Sequence, residues 1–355
     1  MKKFFVFLAF VLILNHFLFF VLISYVEKTS YLWYLISNRE IKEKDFTYLI
    51  LGDSQVMSGI HPKLLKELLT EESKILYYPR PSEQAEGIYL LLKKFYAEGY
   101  RFKRILVNIS PVTTSKNNIV ESHKTLTYNF FPFQKDVFLN FELSEFYFKN
   151  ISGAVYYSII QIFPLLKLNS NLINELALIP KSASLGSSLN MNDYLDRSFF
   201  GDLQLNHIQN TFLKNTLNEN EFYFQWDNFK TTNICIPNLE EKKIPYGIEI
   251  AFSNPRKKSY DRWIEIYNLA KENSSELIYL YIPFAPEIQT KILESEKLPL
   301  LELIQRIENE IPIKNVFLFS VDDFQKSDFT DYTHLNYCGM KKLTKELANK
   351  LNKLQ

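Results

Sequence analysis

The sequence predicts an α/β protein: a parallel sheet with flanking helices, interrupted by a large inserted cap and preceded by an N-terminal transmembrane helix. Three observations predict it. Near both ends of the 355-residue chain, short apolar runs alternate with amphipathic stretches of helical period, the pattern of parallel βαβ units. Between them, residues 112–259 lose that alternation and are rich in Phe, Tyr, Asn and Ser. Ahead of both, the run from Phe4 to Val26 carries no charge.

In chain order, residues 1–30 form the anchor. A helix over Phe4 to Val26 rises about 35 Å at ~1.5 Å per residue, enough to cross a ~30 Å hydrocarbon core with some tilt. The apolar part of a cleaved signal peptide is usually about 7–15 residues and ends at a small-residue site. This run is longer and no Ala-x-Ala follows it, so a retained signal-anchor is expected. Lys2 and Lys3 face Lys28, Arg39, Lys42 and Lys44 across the span, so the positive-inside count does not orient it. A short leading tail is expected to stay in the cytoplasm. That makes a single-pass membrane protein with most of its chain extracytoplasmic, in the periplasm or on the outer face.

Residues 31–45 read as a juxtamembrane segment. The first half of the α/β unit, residues 46–111, opens with a buried strand from Phe46 to Leu51. A helix follows from Pro62 to Leu69, with proline in its first turn. Lys74 to Tyr78 is a second strand, ending in the turn Pro79-Arg-Pro-Ser82. A helix then presents Ile88, Leu91, Leu92 and Phe95, and a third strand runs from Arg104 to Ile109. After the cap (112–259), the second half (260–355) supplies a helix from Tyr260 to Asn273 and a strand from Glu276. A helix from Leu298 to Glu310 and a strand from Asn315 to Ser320 come next. The closing helix carries Met340, Leu343, Leu347, Leu351 and Leu354 at steps of three or four.

Composition narrows the function. Net charge is +1 and charged residues make 23%, so no strong field points to nucleic acid. Nine glycines argue against a glycine-rich phosphate cradle, and two cysteines against a disulfide scaffold or a cysteine metal site. No His, Cys, Asp or Glu cluster has metal-ligand spacing, and no cofactor is expected. Aromatic residues reach 15%, concentrated enough to pack the cap, line a groove or rest on a membrane.

Two motifs carry chemistry. The first strand runs into Gly52-Asp53-Ser54, which sets the Ser54 hydroxyl at a strand's carboxyl end, where open α/β sheets bind ligands. The Ser54 amide lies at a helix start and can face a developing oxyanion. The second motif, Asp331-Tyr-Thr-His334, lies between the last strand and the last helix. Serine needs a base to act as a nucleophile near neutral pH, and the base needs an acceptor that fixes its tautomer. The plainer alternative makes Asp53 or Ser54 a helix cap, and Asp331 or Thr333 a cap on the last helix, with His334 at the surface. His61, seven residues from Ser54, is the competing base but reads as a turn residue before Pro62. Cys338 reads as a small buried residue.

Gly-Asp-Ser after the first strand together with Asp-x-x-His before the last helix resembles the SGNH/GDSL hydrolase superfamily. The anchor and the large insertion make it similar to that superfamily's membrane-anchored O-acylation branch (DltD/AlgX/AlgJ-like). The resemblance covers residues 46–111 and 261–352. It implies a flavodoxin-like α/β/α sandwich with Ser54 as nucleophile, His334 as base and Asp331 as its orienting carboxylate. It further implies an oxyanion site built from Ser54 and the second-strand turn at Ser82. The chain departs from the family where a glycine is common in that turn and where Gly-x-Asn-Asp often follows the third strand; it has Val107-Asn-Ile-Ser-Pro111 there. Asn108 lies within the strand and receives no role, and Ser110 and Thr113 are further candidate donors. The implied activity is an esterase or O-acyltransferase acting on an acylated envelope glycan. The implied partners are the bilayer, through residues 4–26, and a membrane-bound acyltransferase. The alternative is a catalytically weak module that binds glycan or docks that acyltransferase.

Overall fold

A computed structural model describes residues 2–29, 43–79, 83, 85–110, 159, 162–165, 257–288, 309, 316–329 and 332–354. The chain divides into two compact units, Met1–Glu40 with His123–Ser188, and Ile41–Ser122 with Leu189–Gln355.

In the first unit, α1 (Lys2–Thr29) is one continuous helix. Its segment Lys2–Leu22 has a mean hydropathy of 2.7 and is long and apolar enough to cross a membrane. Side chains such as Phe4, Val6, Ile13 and Phe17 are more than 60% exposed, the opposite of a core helix.

The second unit is an α/β fold. Five strands, β1 (Asp45–Leu51), β2 (Ile75–Tyr77), β3 (Arg101–Asn108), β4 (Glu276–Tyr281) and β5 (Val316–Leu318), form one sheet in the order β2-β1-β3-β4-β5. Every pairing is parallel, with Leu49 opposite Ile105 and Val107 opposite Tyr279. Short apolar strands buried on both faces are what such a sheet requires. Parallel neighbours need crossovers, and right-handed crossovers place helices according to the direction of travel. The path from β1 to β2 runs one way through α2 (Ser54–Gly59) and α3 (Pro62–Leu68). The path from β2 to β3 runs back through α4 (Ala85–Ala97), and α5 (Lys257–Glu272) precedes β4.

The two layers of helices therefore fall on opposite faces. Ile88, Leu92 and Phe95 of α4 and Trp263, Ile266 and Ala270 of α5 pack on Leu49, Leu51, Ile105, Val107, Leu277 and Tyr279. Alternate strand residues such as Ile50, Leu106 and Ile278 point the other way. The closing helix α6 (Tyr337–Asn352) packs with α2 and α3. There a Cβ on Gly59 would lie 2.9 Å from Leu343 and 3.3 Å from Ile282.

Among the described residues the elements fall where the patterns put them, β1 and β3 starting earlier than expected and β2 and β5 being shorter. β5 covers three of the residues read as Asn315 to Ser320, and Leu354 lies beyond the end of α6. The expected helix from Leu298 to Glu310, nearly all of the cap and most of the juxtamembrane segment lie outside the described residues.

Candidate functional site

The sheet order creates one place where neighbouring connections diverge. The chain leaves β1 toward β2 and leaves β3 toward β4, so a crevice opens at the carboxyl ends of β1 and β3. Gly52, Asp53 and Ser54 leave β1 at that point, and Asn108 and Ser110 leave β3 beside them.

Gly52 is required there. Its φ is +148°, and an added Cβ would lie 2.2 Å from Asn108 Oδ1 and 2.4 Å from Val56. The close approach lets the Asp53 amide donate to Asn108 Oδ1 at 3.1 Å. The Asp53 carboxylate is buried and accepts three hydrogen bonds. Oδ1 takes the Gln55 amide at 2.9 Å and Asn108 Nδ2 at 2.8 Å, and Oδ2 takes Ser110 Oγ at 2.9 Å. Burial raises the Asp53 pKa above its ordinary value; these donors and the nearby His334 pull against that rise. Asp53 is also the N-cap of α2, so the capping alternative is realised for this residue.

Ser54 is the first residue of α2, and its Oγ lies 2.8 Å from His334 Nε2. The hydroxyl and imidazole come from positions 280 apart in sequence. His334 is 1% exposed, not a surface residue. Its Nδ1 lies 2.9 Å from Thr333 Oγ1. With the ring proton on Nδ1, that nitrogen donates to Thr333 and Nε2 accepts from Ser54, the tautomer a general base needs.

The loop that carries His334 is fixed from several sides. Ala285 donates to the Tyr332 carbonyl at 3.0 Å, Phe329 and Leu335 form an antiparallel bridge, and Asn336 donates to Asp328 O at 2.9 Å. Asn336, not Asp331 or Thr333, caps α6: its Oδ1 accepts from the Cys338 and Gly339 amides. Gln55 ties this loop to the serine helix, Nε2 donating to Thr333 O at 3.3 Å, while its buried Oε1 has no hydrogen-bond partner among the described residues.

Ser54 and His334 thus meet. Asp331, Ser82 and Thr113 lie outside the described residues. Ser110, read as a candidate oxyanion donor, bonds the Asp53 carboxylate instead. Asn108, which sequence reasoning left without a role, braces Asp53; the signal was a lone amide directly after the apolar run Ile105–Val107. Gln55 and Thr333 were also missed, and nothing local marks either. His61 caps α3, its Nδ1 accepting from the Leu64 amide at 3.2 Å. Cys338, read as a small buried residue, is half-buried and disulfide-bonded, and the sequence holds one other cysteine, Cys235. Among the described residues no three His, Cys, Asp or Glu side chains are placed to hold a metal ion.

A serine hydroxyl bonded to a buried imidazole at the open edge of a parallel sheet can act as a nucleophile–base pair. No family model matches this chain, and no curated protein matches it.

Proposed function

We propose that this protein is a membrane-anchored, extracytoplasmic serine esterase or O-acyltransferase of SGNH/GDSL type that acts on an acylated envelope glycan. The observation that carries this reading is the 2.8 Å contact between Ser54 Oγ and His334 Nε2 at the sheet's topological switch point. In the proposed reaction Ser54 Oγ attacks an acyl carbonyl carbon while its proton passes to His334 Nε2. The tetrahedral intermediate collapses, and His334 returns the proton to the departing alkoxide, leaving an acyl-serine ester. Water or a sugar hydroxyl then attacks that ester, His334 taking its proton and handing it back to Ser54 Oγ. By the family resemblance, the Ser54 amide at the start of α2 and the turn around Ser82 would supply the oxyanion donors and Asp331 would orient the imidazole, whose Nδ1 meets Thr333 Oγ1.

The sugar acceptor rests on the family resemblance and on the aromatic excess of the chain. The compartment rests on α1 together with the disulfide at Cys338, since disulfides persist where thiols are oxidised. The test is labelling of the full-length, detergent-solubilised chain with a serine-directed fluorophosphonate. Wild type labels, and Ser54→Ala and His334→Ala both abolish labelling. A folded wild type that stays unlabelled overturns the catalytic reading.

A further inference from the structure

The polar residues in the middle of α1 are not idle. Val11, Leu12, Asn15, His16, Phe19 and Leu22 lie on one stripe of the helix and are shielded to varying degrees, Phe19 to 1% exposure, while the rest of the span is open. At the centre of that stripe Asn15 Oδ1 accepts a hydrogen bond from the Leu165 amide at 3.2 Å. His16 Nδ1 is 2.9 Å from the Leu12 carbonyl, within its own helix.

Leu165 follows a helical turn in the same unit. The Phe163 amide donates to Ile159 O at 2.8 Å, and Pro164 and Leu165 follow in a 3-10 turn. Pro164 opens that 3-10 turn, so the Leu165 amide lies among the first-turn donors that have no acceptor within the turn and must find one outside it. From Ile151 to Leu166 the sequence carries no charge. Ile159 and Ile162 are 42% and 49% exposed. Outside α1, Leu68 is the one other described large apolar residue so exposed.

Depth follows from helix geometry. Asn15 stands about 20 Å along the axis from Lys2 and about 10 Å from Leu22, well inside a hydrocarbon core ~30 Å thick. An amide bonded to Asn15 shares that depth. A backbone amide at that depth has no water to bond and must find its acceptor within the protein, and Asn15 provides it.

We propose that the described residues Ile159 and Ile162–Leu165 belong to a second, re-entrant membrane element: they lie in the same leaflet region as α1, offer Ile159 and Ile162 to lipid acyl chains, and are pinned by Asn15. The element rests on the reading of α1 as a membrane span. The exposed isoleucines extend the lipid-facing surface of α1 and give the anchor two insertions rather than one.

Single cysteines test it in the full chain: Ile162→Cys, Leu14→Cys in α1, and Asn349→Cys at an exposed position of α6. Each is labelled with NBD-maleimide without reductant, so that disulfide-bonded Cys338 stays unreactive, and reconstituted into phosphatidylcholine vesicles. Acyl-chain doxyl lipid is expected to quench the label at 162 as it does at 14, and aqueous iodide to quench only the label at 349. Quenching at 162 by iodide, with 14 still quenched by doxyl lipid, overturns the re-entrant element and spares the anchor. A label at 162 that neither agent reaches is covered by protein and also overturns it. Iodide quenching at both 14 and 162 removes the anchor as well.

Discussion

Asp53 sits one residue before the serine, and its three hydrogen bonds lock the strand-to-helix turn on which Ser54 rides. Asn108→Ala removes two of the contacts around it and leaves buried polar atoms unpaired, which costs about 1–3 kcal/mol. The expected outcome is a lower urea midpoint together with slower fluorophosphonate labelling. Gly52→Ala places a side chain at φ +148° and against Asn108, so it should lose stability through backbone strain of about 1–3 kcal/mol and displace Asn108 besides. Circular dichroism melts of the two variants check the order, with Gly52→Ala the more damaged. Asp53 also sets a pH slope. Its folded pKa is raised by burial, so the folded state binds a proton more readily than the unfolded one. Its contribution favours folding at low pH and erodes as pH rises from its unfolded value, near 3.8, up to its folded value. Asp53→Asn should remove that fall from the stability–pH curve.

Among the elements, α6 was the most legible from sequence, and it ties the His334 loop to the fold. Its stripe of Met340, Leu343, Leu347 and Leu351 is buried, and Asn336 caps its first turn. Leu347 is fully buried, so Leu347→Ala should cost about 2–5 kcal/mol by leaving a cavity, read as a drop in the unfolding midpoint. Gly339 shows why the helix has a glycine in its first turn. An added Cβ would sit 2.2 Å from the Asp328 carbonyl, where the His334 loop crosses the helix. Strands were legible in position but not in extent. The sequence marks Asn315 to Ser320 by hydrophobicity, whereas the strand ladder with β4 covers Val316–Leu318, with one further bond from the Phe319 amide to Tyr281 O at 3.3 Å. An apolar run marks burial, and burial continues past the last paired residue at Phe319.

For the molecule as a whole, the sheet separates an edge held by ion pairs from the edge that carries Ser54 and its contact with His334. At the amino-terminal edge Arg104 is buried and bonds Glu276, Glu71 and the Tyr48 hydroxyl. Burial pushes the Tyr48 pKa up to about 12, so the phenol stays a donor to Glu71. For Glu71, burial pushes upward too, but the Lys103 and Tyr48 hydrogen bonds and the charges of Lys103 and Arg104 outweigh it, and the pKa falls below 4.5. A depressed carboxylate contributes stability that is present above its unfolded pKa and lost as pH falls through the folded one. The stability gap between wild type and Glu71→Gln should therefore be full above pH 4.5 and close in more acidic solution, as read by urea unfolding at a series of pH values.

The sequence by itself determined what local patterns encode. It set the charge-free run Phe4–Val26 within α1, the succession of strands and helices, and the serine and histidine worth pairing. Each of these is written in residues a few positions apart, where periodicity, capping and turn chemistry act. Only the tertiary structure decided the strand order, the face each helix covers and the partners at the site. Asn108 meets Asp53 across 55 positions, Gln55 meets Thr333 across 278, and Ser54 meets His334 across 280. Such contacts depend on how right-handed crossovers stack one strand beside another, a property of the assembled sheet that no short stretch of chain carries.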